Sequence, residues 1–175
     1  MQPVEALQRL RRQLTRAEFE KKYPHPWLLR ELEDAEQSAM FRTMVSVKRA
    51  PTVPRKPTAG APFLTSLAAD PSRFGLYAVS KSGSNPWADR VLVGRASNND
   101  IVLRNDRISK LHAYFQMSAR GVWRVFDAKS ANGTRVDGDL VPAGEEGVEV
   151  KIGQVVTFGT LTCELVSSGD LYDAL

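Results

Sequence analysis

At the N-terminus apolar residues recur with helical spacing; further along, the period shortens to two. Val4, Leu7, Leu10 and Leu14 stand three or four apart with arginines between them, which predicts a helix. Thr15-Arg-Ala-Glu18 has the form of a capping box that opens a second short helix carrying Phe19. Pro24 and Pro26 stop that helix. Pro26 then suits the first position of a third helix through Trp27, Leu28, Leu32 and Ala35. Residues 1–46 are therefore expected as a helical N-terminal arm. An arm this small lacks a secure core of its own and is expected to lean on the rest of the chain.

Residues 47–62, VKRAPTVPRKPTAGAP, hold four prolines and four cations and are expected as an extended, solvated linker. Beyond them the alternation is that of strands. Val148, Val150 and Ile152 alternate with Glu149 and Lys151, and Leu161, Cys163 and Leu165 alternate with Thr162 and Glu164. Similar short runs recur near 75–80, 90–94, 101–104, 112–117, 122–127, 134–137, 148–152, 154–158 and 161–166, separated by Asn, Asp, Gly and Ser. Many short strands with regular turns predict an all-β sandwich or barrel. The body is expected over residues 63–170, with 171–175 as a C-terminal tail. Phe115 and Trp123 are expected in its core, and His25 as a turn residue between two prolines.

Composition narrows the picture. The 175 residues are 42% hydrophobic and 25% charged, as in an ordinary globular protein. No run of about 18 apolar residues marks a membrane span, and MQPVEALQRLRRQL lacks the apolar centre of a signal peptide. Cys163 is the single cysteine and His25 and His112 the only histidines, which argues against disulfides and a zinc site. The expected location is cytoplasmic, with no cofactor or metal. The formal charge of +4 is uneven. Residues 1–36 hold seven bases and seven acids, residues 37–62 hold five bases and no acid, and residues 63–175 hold twelve bases and thirteen acids. The excess lies in the linker, which lacks the interleaved aromatics of a base-stacking surface. Nucleic acid is not an expected partner.

The segment DRISKLHAYF, residues 106–115, puts an acid, a serine and a histidine within seven positions. Along a straight strand Asp106 and His112 stand roughly 20 Å apart. The G-x-S-x-G elbow is absent, as are the phosphate-loop and dinucleotide patterns. No enzyme constellation emerges. The same segment suits a phosphate, which needs a forked cation, a hydroxyl or amide donor, and turns to aim them. Arg95 follows the apolar run Val91-Leu92-Val93-Gly94, Ser109 lies between Arg107 and Lys110, and Asn132-Gly133 signals a tight turn. Whole strands separate the three points, so all three are expected at one end of a sandwich.

Gly94-Arg95, Asn99-Asp100-Ile101, Arg107-Ile-Ser109-Lys-Leu-His112, Ser130-Ala-Asn132-Gly133-Thr134 and Val136-Asp-Gly138 occur in an order and at intervals that resemble the forkhead-associated (FHA) domain, over residues 70 to 167. The resemblance implies an eleven-stranded β-sandwich whose loops bind a phosphothreonine peptide. It implies Arg95 as the phosphate-binding arginine, Ser109 as the phosphate-binding hydroxyl, and Asn132 as the amide that bonds the ligand backbone. Gly94, His112 and Gly133 match architectural positions. Lys110 would add a mobile charge, and Arg107 would read an acid after the phosphothreonine. One departure is Ala131, where family members often carry a hydroxyl.

The expected function is a non-catalytic phosphothreonine-binding adaptor in Ser/Thr kinase signalling, its partner a phosphorylated kinase or kinase substrate. The alternative is an FHA fold kept for phosphate-independent protein pairing or self-association. Thr43, Thr52 and Thr58, in or near the linker, are candidates for phosphorylation that would fold back on the pocket.

Overall fold

The computed structural model describes residues 4–33, 63–144 and 146–175. The linker expected at 47–62 and the threonines 43, 52 and 58 lie outside the described residues. Helix α1 (Val4–Arg11) buries Val4 and Leu7. Helix α2 (Arg16–Lys22) begins with the expected capping box. The Glu18 amide donates to Thr15 Oγ1 at 3.3 Å, and the Thr15 amide donates to Glu18 Oε2 at 2.7 Å.

No third helix forms after Pro26. Trp27–Glu31 is strand β1, antiparallel to β2 (Phe74–Ala78) on one side and to β11 (Leu161–Val166) on the other. The physical reason is burial on both faces. Leu28 joins the sandwich interior, while Trp27 and Leu29 join a second apolar layer beneath the helices. A strand covered on both sides shows a continuous apolar run instead of alternation, and such a run cannot be told from a buried helix by period alone.

The remaining strands are β3 (Val91–Gly94), β4 (Ile101–Val102), β5 (Ala113–Met117), β6 (Trp123–Asp127), β7 (Thr134–Val136), β8 (Asp139–Leu140), β9 (Val148–Glu149) and β10 (Val155–Phe158). All nine sequence-predicted runs overlap a strand. The 148–152 run is cut short because only Val148 and Glu149 pair with β6, and Ile152 is left 47% exposed. One sheet has the order β2-β1-β11-β10-β7-β8 and the other β4-β3-β5-β6-β9. Only β3 and β4 run parallel among the named pairs.

Two apolar layers hold the molecule together. Between the sheets lie Leu28, Val91, Val93, Phe115, Val125, Val156, Phe158, Cys163 and Leu165, with Trp123 packed at the margin. Burial pushes the Cys163 thiol up to about 12, so it acts as a small hydrophobe. The outer face of the six-stranded sheet is also covered. There Trp27, Leu29, Phe74 and Leu76 meet Leu7, Phe19, Leu67 of α3 (Phe63–Ala69) and Leu171 of α4 (Ser168–Ala174). Residues 171–175, expected as a tail, belong to this layer. Glu164, expected to face water, is buried beneath α3 and accepts the Phe63 amide. That burial raises its carboxyl above the ordinary range.

Trp27 ties β1 to α4 and to the end of α2 within the outer layer. Its indole Nε1 donates to Ser168 Oγ at 2.9 Å, and Ser168 Oγ donates to the Tyr23 carbonyl at 2.5 Å. Truncating a buried Trp of this kind costs about 3–5 kcal/mol. Urea unfolding of Trp27→Ala is expected to show that loss. Deleting residues 1–33 removes an interior strand, and a shortened chain that unfolded at the wild-type midpoint would contradict this place for β1.

Candidate functional site

Six strand ends meet at one pole of the sandwich. β3 ends at Gly94, β6 at Asp127 and β10 at Phe158, while β5, β7 and β11 begin at Ala113, Thr134 and Leu161. Register confirms the alignment within each sheet, with Val93 opposite Ala113, Ala113 opposite Asp127, and Phe158 opposite both Thr134 and Leu161. The loops 95–100, 103–112 and 128–133 therefore emerge side by side.

The first two loops are sewn together by main chain. The Arg95 amide donates to the Ser109 carbonyl at 3.0 Å, and the Ala96 amide donates to the Lys110 carbonyl at 3.2 Å. Asn99, only 4% exposed, sends its side-chain amide to the Ala96 and Lys110 carbonyls at 2.8 and 2.7 Å. Gly94 is required by this approach, since a Cβ there would stand 2.3 Å from the Lys110 carbonyl oxygen.

His112 joins the second loop to the third. Its Nδ1 accepts the Ser109 amide at 3.2 Å, which leaves Nε2 to carry the proton and donate to the Gly133 carbonyl at 3.1 Å. The same carbonyl accepts the Gly159 amide at 2.9 Å. Gly133 has a φ of 75°, which suits glycine in this turn. Asp127, 1% exposed, holds the third loop from below through Ser130 and Thr134. With both ring nitrogens engaged by backbone, His112 does not take a proton from the Ser109 hydroxyl. The triad arrangement is absent.

On this frame the polar tips converge. Ser109 Oγ accepts the Ala131 amide at 3.1 Å, and Asn132 Nδ2 donates to the Arg107 carbonyl at 2.7 Å. Both contacts leave functional atoms over: the Ser109 hydroxyl proton, and the Asn132 side-chain carbonyl. Arg95, Arg107 and Lys110 are exposed. An open groove of about 580 Å³ adjoins the tips, lined by Arg95, Arg104, Asn105, Asp106 and Arg107.

Two placements do not follow from sequence spacing. The stretch around Arg107 is a turn, closed by the Ile108 amide on the Asn105 carbonyl at 3.0 Å, so it is not extended chain. Arg107 lines the groove, whereas the Ser109 hydroxyl meets the third loop. Asp100, five residues after Arg95 in sequence, has a side chain with no exposure. It accepts bonds from the Ser82 and Leu92 amides, Asn85 and Lys81. Those four bonds hold its carboxyl low against the opposing effect of burial, the largest single influence. The roles of Asn99, Asp127 and Gly159 and the place of Arg104 are not marked by residue order alone. The Asp127-x-x-Ser130 spacing signals a side-chain-capped turn, and nothing comparable marks Gly159.

Residues 91–159 match the family model of the FHA domain. Among curated proteins, the FHA domain-containing protein FhaB of Mycolicibacterium smegmatis is 41% identical over 76 residues, which cover 43% of this chain and 46% of that relative's length. Among solved structures, the FHA domain of the Chlamydia trachomatis protein CT664 is similar at 28% identity and a TM-score of 0.43, covering 53% of this chain and 84% of that one. The N-terminal FHA domain of S. cerevisiae Rad53p, solved with a phosphothreonine peptide, is similar at 19% identity and a TM-score of 0.45, covering 58% and 90%.

Burial lowers the His112 pKa below its ordinary 6.5, opposed by the Gly133 carbonyl and the Asp127 charge. The native state favours the neutral ring, because a proton on Nδ1 would face the Ser109 amide. This contribution to stability is present above about pH 6.5 and is lost as pH falls through the lowered native value. Glu164, shifted the other way, works against it in the same acid range, so the difference between variants is the readout. His112→Gln is expected to reduce the acid-side loss of unfolding free energy measured by urea titration between pH 7 and 5. An unchanged slope would contradict a neutral His112 ring in the native state.

Proposed function

This chain carries an FHA domain, and on that premise we propose that it is a non-catalytic adaptor that grips phosphothreonine in a partner protein phosphorylated by a Ser/Thr kinase. FHA domains belong to the modules that recognise phosphorylated motifs through cationic sites. The observation that carries the reading is the convergence of Arg95, Ser109 and Asn132 on three loops bonded to one another. A phosphate with a charge of about −1.5 to −2 meets the forked Arg95 guanidinium. The Ser109 hydroxyl, already accepting the Ala131 amide, directs its proton to a phosphate oxygen. Lys110 adds a mobile charge at the rim. Asn132, anchored through Nδ2, offers its side-chain carbonyl to a ligand backbone amide. Gly94, His112 and Gly133 act by holding the loops in place. The missing hydroxyl at Ala131 removes one further donor, so moderate affinity is expected.

A charge-assisted hydrogen bond lost from such a site costs about 1.5–3 kcal/mol, and each 1.4 kcal/mol is tenfold. Arg95→Ala is expected to weaken binding of a phosphothreonine peptide about ten- to a hundredfold in calorimetric titration of the full chain. Arg95→Lys keeps the charge without the fork and is expected to fall between. Equal affinity for matched phosphorylated and unphosphorylated peptides would reject this function and favour phosphate-independent pairing.

A further inference from the structure

The far pole of the sandwich carries a groove that the phosphothreonine reading does not use. It has a volume of about 370 Å³ and lies where β1 and β6 begin and β11 ends. Tyr23, His25, Trp123, Ile152 and Ser168 line it, and Glu20 is its only acid, with no lysine or arginine. One side is rigid: the rings of Tyr23, His25 and the buried Trp27 pack with centroids 5.0 to 6.0 Å apart, and Trp27 is tied to Ser168. Ile152 is 47% exposed, and Met117, opposite Trp123 across β5 and β6, is 56% exposed, so apolar surface continues beside Trp123. Among the described residues, neither the Trp123 indole N–H nor the Tyr23 hydroxyl donates to a protein group. The Trp27 indole and the Tyr172 hydroxyl of the same layer are both satisfied. Half-exposed rings with free donors suit a ligand whose own backbone carbonyls are free. A polyproline II helix is such a ligand, since it has no internal hydrogen bonds, and proline-rich segments dock in aromatic-lined grooves.

The chain itself contains a segment of this kind. In PTVPRKP, Pro51, Pro54 and Pro57 stand three apart. A polyproline II helix turns once in about three residues, so the three rings align along one edge. Residues 37–62 hold five bases and no acid, which complements a groove whose one acid, Glu20, has only a long pairing with Arg16 at 3.6 Å. Attachment favours the same contact. Residues 34–62 join Glu33 to Phe63, and the Phe63 amide is fixed on Glu164, three positions before the groove residue Ser167. Those three positions of β11 span about 10 Å. Pro57 is six residues from Phe63, a reach of about 20 Å in extended chain, so the segment reaches the groove from its C-terminal attachment. A tether this short keeps the prolines at a local concentration on the order of millimolar, which a partner's segment would have to exceed.

We propose that the groove at Tyr23, Trp123 and Ile152 is the docking site of the chain's own proline segment, residues 51–57, held as a polyproline II helix. The proline rings lie on the aromatic wall, and the segment's carbonyls accept from the Trp123 indole and the Tyr23 hydroxyl. The inference does not rest on the phosphothreonine reading, because this groove and the loops 95–100, 103–112 and 128–133 lie at opposite poles.

The test is a spin-label experiment on the full chain. Thr58→Cys, next to Pro57, takes a nitroxide, whereas Cys163 is buried with its thiol pushed up to about 12 and stays unlabelled. The expected result is selective loss of the Tyr23 amide, Ile152 amide and Trp123 indole signals in a two-dimensional NMR spectrum, recovered when the nitroxide is reduced. Replacing Pro51, Pro54 and Pro57 together by alanine is expected to abolish that selective loss. Ile152→Ser is expected to do the same from an exposed position whose change leaves the fold intact. A synthetic peptide of residues 50–58 added to the triple-alanine variant is expected to shift the same three signals, and the peptide with alanine for each proline is expected not to. Signal loss that is absent, uniform over the surface or indifferent to the three prolines overturns the proposal. Peptide shifts at the groove without signal loss in the labelled chain would assign the groove to a partner's proline-rich segment and overturn it as well. Equal signal loss when nitroxide and isotope are on separate chains would assign the contact to a second copy, with the same consequence.

Discussion

The pole that carries the candidate site depends on one buried imidazole. His112 has no exposed surface, and its two nitrogens meet groups of opposite kind, the Ser109 amide and the Gly133 carbonyl. Only a neutral ring with the proton on Nε2 satisfies both. Because the Gly133 carbonyl also takes the Gly159 amide, the same atom gathers the second loop, the third loop and the turn between β10 and β11. Buried polar groups that are satisfied in only one arrangement specify that arrangement, since every alternative leaves a donor or acceptor unpaired. The exposed tips are thereby prepositioned, and a ligand need not spend much binding energy ordering them.

The opposite requirement shapes the far side of the molecule. The outer face of the six-stranded sheet is apolar at Trp27, Leu29, Phe74 and Leu76, and α1, α2, α3 and α4 cover it. This layer uses both termini of the chain, with β1 inserted between β2 and β11. The N-terminal segment is therefore structural material of the sandwich, and the cation-rich loops remain where the strands end. A rigid body with function on its loops is the usual division of labour in β-sandwiches.

The sandwich was largely legible because its strands alternate. Leu161, Cys163 and Leu165 face the core as their spacing indicates, and Gly94, Arg95, Ser109 and Asn132 carry a recognisable order of turn and donor residues. The alternation disappears where both faces of a strand are buried. Trp27, Leu28 and Leu29 are apolar on successive positions because the strand has two covered faces, and Glu164 is a polar residue beneath a helix that period-two logic assigns to solvent. Side-chain direction in the loops was not legible either. Arg107 and Ser109 are two apart, a spacing that in extended chain puts both on one side, but the turn at Asn105–Ile108 sends them to different neighbours. Asp100 likewise stands near the cations in sequence while its carboxylate is consumed by the 81–92 segment.

A single anion-binding pole assembled from loops distant in sequence is the expectation on which the proposed function turns. The most direct measurement is a two-dimensional amide NMR titration of the full chain with a phosphothreonine peptide. The predicted result is saturable shifts at Arg95, Ala96, Ser109, Lys110, Ala131 and Asn132 together, with Trp123, Ile152 and Ser168 at the other pole unmoved. Shifts confined to that other pole, or to one of the three loops alone, would contradict it.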